Sequence, residues 1–145
     1  MSYELHEMQI EDYDAVLALW QTCDGLGALE TRGEFARFLA RNPGLSVVAW
    51  RGERLIGAVL CGHDGRRAFL YHLAVAADCR KQRVAQAIVG RCLEKLAAVG
   101  IPRCSVHLYT DNAAGRTFWE RLGWRERTDL QIFAQDISPA NSSHE

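Results

Sequence analysis

The alternation in Tyr3-Glu4-Leu5-His6-Glu7-Met8 predicts a short first strand, after which Ile10, Tyr13, Val16, Leu17 and Trp20 recur at helical spacing. Gly25 and Gly27 end that helix. A second helix is expected over Glu34 to Arg41, with Phe35, Phe38 and Leu39 on one side and Asn42-Pro43-Gly44 as its stop. Leu45 to Trp50 and Leu55 to Gly62 flank the turn Arg51-Gly52-Glu53-Arg54 and predict a hairpin. After a second turn at Asp64-Gly65-Arg66-Arg67, the almost wholly apolar run Ala68 to Val75 predicts a central strand covered on both faces. From Val84, the positions Ile88, Val89, Cys92, Leu93 and Leu96 follow the helical period with Arg91, Glu94 and Lys95 opposite, and Gly100 and Pro102 close the helix. A strand through Ser105 to Tyr109, a helix from Ala113 to Leu122 ended by Gly123, and strands within Trp124 to Ile137 complete the order.

This pattern suits one α/β domain over residues 1–137, with Ser138 to Glu145 as a flexible tail, and the 145-residue length agrees with a single core. An apolar fraction of 48%, a charged fraction of 24% and only 3 prolines exclude a disordered or collagen-like chain. Seventeen basic against 18 acidic residues leave a net charge of −1, which argues against a nucleic-acid partner held by a broad basic face. Cys23, Cys61, Cys79, Cys92 and Cys104 are odd in number and contain no C-x-x-C pair, so they read as reduced thiols of a cytoplasmic protein. The N-terminus lacks a basic segment followed by an apolar core, and no apolar run approaches the ~18 residues of a membrane span. No metal is expected, since Cys61, His63, Asp64 and His72 do not have ligand spacing.

The segment from Val75 to Ala85 joins the apolar strand to the long helix through Arg80-Lys81-Gln82-Arg83, three cations in four residues. A helix N-terminus is already partly positive, so cations crowded there are unfavourable unless an anion sits among them. The loop therefore reads either as a phosphate site or as a solvated basic turn.

Two motifs bear on that choice. Leu73-Ala74-Val75 followed by Arg80-Lys81-Gln82-Arg83-Val84-Ala85 resembles the pyrophosphate-binding motif of GNAT-family N-acetyltransferases, R/Q-x-x-G-x-G/A after a strand ending L-x-V. Asn112-Ala113-Ala114-Gly115-Arg116-Thr117-Phe118-Trp119-Glu120-Arg121-Leu122-Gly123-Trp124 is similar to the family's second motif, N-x-x-A-x-x-F-Y-E-x-x-G-F. Gly62-His63-Asp64-Gly65-Arg66-Arg67 looks most like small bacterial members of the YpeA type. The resemblance implies a mixed, mostly antiparallel sheet flanked by helices, with the fourth and fifth strands splayed. It also implies acetyl-CoA as co-substrate, its diphosphate on the backbone amides of Gln82 through Gln86. Main-chain groups of Leu73 and Val75 beside Ala74 would meet the pantetheine as an added strand would. Asn112, otherwise a plain helix cap, would touch the pantetheine arm.

The activity implied is transfer of an acetyl group to a primary amine, on a small molecule or a peptide, with a homodimer left open. Arg83 replaces the family's glycine; a negative φ and an outward side chain would keep its N–H available. Trp119 stands where relatives place a proton-donating tyrosine, and an indole cannot do that work. It is either a core aromatic or part of the cofactor site. A chain that binds acyl-CoA as a sensor or partner module, with impaired catalysis, is the alternative. His72 and Tyr71 are the candidate bases, His72 because imidazole exchanges a proton near neutral pH, and Tyr109 is a candidate acid. His72 also fits a structural role. His107 and Tyr109 would share one face of their strand. Asp24, Glu30 and Glu34 are candidate attractors for the amine, or ordinary solvated charges.

Overall fold

Gly52, at φ +61°, turns the chain between β2 (Val47–Arg51) and β3 (Arg54–His63), forming the expected hairpin. The computed structural model describes residues 2–138, and the tail expected from Ser138 onward otherwise lies outside that range. Around the hairpin are β1 (Glu4–Glu7), β4 (Ala68–Val75) and β5 (Cys104–Val106), giving a sheet in the order β1-β2-β3-β4-β5. The first three pairings are antiparallel and β4 with β5 is parallel. The expected mixed, mostly antiparallel sheet is thus present. Every residue from Leu55 to Gly62 is buried, so both faces of β3 are covered. This corrects one expectation: β3, and not β4, is the central, doubly covered strand, and Tyr71 of β4 is exposed.

The helices are α1 (Tyr13–Gln21), α2 (Arg32–Arg41) and α3 (Val84–Ala98). Helix α2 starts earlier than expected because Thr31 caps it: its side chain accepts from the Glu34 amide, and the Glu34 carboxylate takes the Thr31 amide at 2.8 Å. Glu34 is thereby spent on the cap. Helix α1 packs on β3 and β4, and α3 packs on β2, β3 and β4. Trp20, Phe35, Ile56, Leu60 and Ile88 are fully buried in this core. Gly57 allows α3 to sit close, since a Cβ there would lie 2.7 Å from Ile88 Cδ1 and 3.3 Å from Val84 Cγ1.

The chain divides after His107 into two compact units. The second holds α4 (Ala113–Arg121), whose N-cap Asn112 accepts the Gly115 amide at 2.8 Å. Trp119 is buried with its ring 5.0 Å from Phe118 and 4.5 Å from Trp124. The strands expected within Trp124 to Ile137 do not form. Leu130, Ile132, Phe133 and Ile137 suit a strand by type yet stand exposed, and the described residues of this unit include no neighbouring strand for the ladder they would need. β5 is likewise shorter than expected: it ends at Val106, which leaves His107 and Tyr109 outside any strand rather than on a common face.

Candidate active site

β4 pairs with β5 from Ala68 to Leu70, opposite Cys104 to Val106, and among the described residues no strand follows along that edge at Leu73 to Val75. Its inner pairing carries a bulge: Leu60 faces Tyr71 while Ala58 faces Ala74, so His72 and Leu73 together oppose Val59. His72 takes up the extra residue at φ +57° and its carbonyl accepts the buried Trp20 indole N–H at 2.8 Å. Past the bulge the alternation is reset. The Ala76 amide donates to Ile56 on β3 at 2.8 Å, so the main-chain groups of Val75 and Leu73 turn to the open edge. The splay expected between the fourth and fifth strands is therefore real, and the main-chain groups of the two residues expected to bind pantetheine point toward it, the buried Val75 among them.

That open edge leads through a 3-10 turn at Ala77–Cys79 into the basic loop. Arg54 holds the turn by two bonds to Asp78, 2.9 and 2.7 Å. Arg51 reaches Gln82 Oε1 at 2.7 Å and Cys79 Sγ at 3.3 Å, and Arg80 Nε returns to the Val75 carbonyl at 3.2 Å. Lys81 and Arg83 adopt φ of +66° and +63° with exposed side chains. The first helical bond of α3 runs from the Ala87 amide to Arg83. Among the described residues, the amides of Gln82, Arg83, Val84, Ala85 and Gln86 meet no acceptor, no side chain caps Arg83, and the first turn carries no acidic residue. Five open amides beside three cations are chemistry suited to a diphosphate.

The Arg54 bonds hold the Asp78 carboxyl down at about 2, well below its ordinary 3.8. A group whose folded value is depressed adds stability above its unfolded value and loses that contribution as pH falls through the folded one. Asp78→Asn should accordingly leave the melting temperature less sensitive to acidification between about pH 4 and pH 2 than in the parent chain, a difference read from parallel melting curves.

His72 lies near the start of the open edge with its side chain 7% exposed, its ring edge-on to Trp20 at 5.0 Å and Nε2 3.0 Å from Glu30 Oε1. Glu30, in the connection between α1 and α2, is fixed through its carbonyl by the Tyr13 hydroxyl at 2.7 Å. Tyr71 stacks on Phe69 and meets Phe38 edge-on. Sequence reading named Glu30 only as an attractor for an amine; no spacing between it and His72 signals the contact. Asp24 is exposed, and Tyr109 and Asn112 lie in the second unit, where the Tyr109 carbonyl accepts the Asn112 amide at 3.0 Å.

A family model described as the Acetyltransferase (GNAT) family matches residues 4–124. The chain belongs to this family. An acetyltransferase of Sodalis glossinidius is 31% identical over 135 residues, which are 92% of this chain and 95% of that protein. Among solved structures, Ard1 from Thermoplasma volcanium superposes with a TM-score of 0.76 at 18% identity, covering 85% of this chain and 82% of that one. The PaiA N-acetyltransferase from Thermoplasma acidophilum, solved in complex with coenzyme A, gives 0.70 at 15% identity, covering 84% and 89%. As a GNAT-family member the chain is an acyltransferase.

Membership gives the two departures from the motif a physical reading. Arg83 was expected at negative φ, but it keeps the left-handed backbone that a glycine would adopt at little cost, and only the side chain differs. An L-residue there costs on the order of 1–2 kcal/mol. Arg83→Gly should therefore raise stability by about 1 kcal/mol, the gain being reduced by the freer unfolded chain. Denaturant melts check this, and a loss of stability would show that the guanidinium contributes more than its backbone costs. Trp119 is packed between two aromatic rings, which fits its reading as a core residue. No helix among the described residues is long and apolar enough to cross a membrane.

Proposed function

We propose that this chain acetylates a primary amine with acetyl-CoA as co-substrate, the amine attacking the thioester directly while both are bound. One observation carries the reading: the unpaired edge of β4 runs through a short turn straight into the uncapped start of α3. The main-chain N–H and C=O of Leu73 and the N–H of Val75 can accept an extended pantetheine as a strand is accepted, and the amides from Gln82 to Gln86 can take the diphosphate. With Arg80, Lys81 and Arg83 alongside, phosphate meets charge as well as dipole. Bound this way, the acetyl carbonyl lies along a row of strand N–H groups, which stabilise the oxyanion formed during attack. His72 takes the acceptor's proton, and Tyr71 and Tyr109 are the further candidates for proton transfer.

The acceptor is an amine on a small molecule or a peptide. Calorimetry with acetyl-CoA followed by thiol release over a panel of amines and peptide N-termini tests the reading. Tight binding with no thiol released by any amine would favour an acyl-CoA sensor, in keeping with Trp119 in the place of a phenol. Absence of binding would reject both.

A further inference from the structure

Two polar atoms in the first unit are sealed from solvent without a completed hydrogen bond although they face each other: Glu30 Oε1 and His72 Nε2, 3.0 Å apart. We infer that Glu30 is a positioning residue, whose carboxylate fixes the His72 imidazole so that the ring can take the acceptor's proton. The inference rests on the acetyl transfer proposed above.

The chemistry of the two groups sets the tautomer. A carboxylate oxygen only accepts, so Nε2 carries the hydrogen and the neutral ring keeps its lone pair on Nδ1. Both partners are held from behind: the Tyr13 hydroxyl fixes the Glu30 carbonyl, and the Trp20 indole fixes the His72 carbonyl inside the bulge. A pair retained purely for structure would have its N–H in line with the oxygen, because a buried polar atom left unmatched costs free energy. Here the distance is right and the line is not. Catalytic hydrogen bonds often look this way before substrate binds and straighten afterwards.

Among the described residues of the first unit, Glu30 is the charged group in contact with the ring. Trp20 approaches from α1 and Val59 lies opposite on β3, neither of them charged, and the adjacent titratable group on β4 is the Tyr71 phenol. Arg32 of α2 is occupied over the Tyr13 ring, 5.7 Å from its centre, and lies 3.9 Å from Asp14 of α1. Arg80 is turned to the Val75 carbonyl and to Cys23.

The proton balance is complete without another reactant. The acceptor ammonium loses one proton to His72 Nδ1, directly or through water, and the imidazolium so formed is stabilised by Glu30. The free amine forms the C–N bond, the C–S bond breaks, the second amine proton goes to the departing thiolate, and His72 returns its proton to solvent.

The test uses the full chain and begins without any acceptor. Proton NMR of the wild type should show a ring N–H of His72 protected from exchange, absent in His72→Gln and in Glu30→Ala but retained in the isosteric Glu30→Gln. Failure to see that resonance, or its survival in Glu30→Ala, overturns the pairing. In steady-state assays Glu30→Gln should lower kcat at least tenfold with KM for acetyl-CoA and melting temperature unchanged. An unchanged kcat, or a loss shared by KM for acetyl-CoA, overturns the positioning role. A wild-type chain that binds acetyl-CoA but releases thiol with no amine overturns acetyl transfer itself, and the proton-accepting role with it; in that event the protected resonance would leave Glu30 and His72 as a structural pair.

Discussion

Replacing Arg80 and Lys81 together with glutamate should weaken acetyl-CoA binding at least tenfold, about 1.4 kcal/mol, and flatten its dependence on salt. The expectation comes from the crowding of cations at an open helix start, where they raise one another's energy unless an anion arrives. The two residues act differently. Lys81 projects into solvent from a left-handed backbone, so its reversal changes charge and little else. Arg80 also latches the end of β4 through the Val75 carbonyl, and Arg80→Gln separates loss of the latch from loss of charge. Calorimetry at two ionic strengths decides the matter: unchanged affinity in the double variant would remove the elbow as the diphosphate site, since two new carboxylates beside a bound diphosphate cannot be without effect.

His72→Gln should lower kcat/KM by roughly 10²-fold and abolish the acidic limb of the rate profile, because an amide cannot accept a proton from an ammonium. The size of the effect follows from what a positioned base supplies, typically ~10²–10⁴-fold. The fold should tolerate the change, since the Trp20 indole bonds the main-chain carbonyl of residue 72 and the replacement keeps that group. Acetyl-CoA affinity should stay within a few-fold. A retained limb with a near-normal rate would make His72 a structural residue of the bulge and return Tyr71 to consideration as the base.

The limits of β4 at Ala68 and Val75, the start of α3 at Val84 and the cap at Asn112 are all legible in the sequence, because each depends on a local preference: an apolar run, a helical period, a side chain that accepts an amide. The turn from β4 into α3 likewise falls at the basic run Arg80-Lys81-Gln82-Arg83. What the residues do not announce is decided at a distance. Simple alternation from Ala68 would aim the main chain of Leu70, His72 and Ala74 at the outer edge; the bulge passes that role to Leu73 and Val75, and it is held by Trp20 from another element. Glu30 and His72 meet because the connection between α1 and α2 is fixed by Tyr13. The strands expected after Trp124 failed for the opposite reason: their residue types suit a strand, but a ladder needs a partner and residue type does not supply one.

Among the described residues, the three non-glycine positions with positive φ are His72, Lys81 and Arg83, all within the stretch from the bulge to the start of α3. At the latter two the side chains are exposed and the backbone is left-handed. Tolerance of the fold to change there should follow torsion, whatever charge does to binding. A saturation library at 81 and 83, sorted for thermal stability, would be led by glycine, asparagine and aspartate, which enter the left-handed region at least cost. Valine, isoleucine and threonine would come last, since branching at Cβ makes that torsion hardest to hold. A lysine and an arginine therefore occupy two sites where the fold asks for a torsion that neither side chain favours, so that stability and charge are set there by different atoms of the same residue.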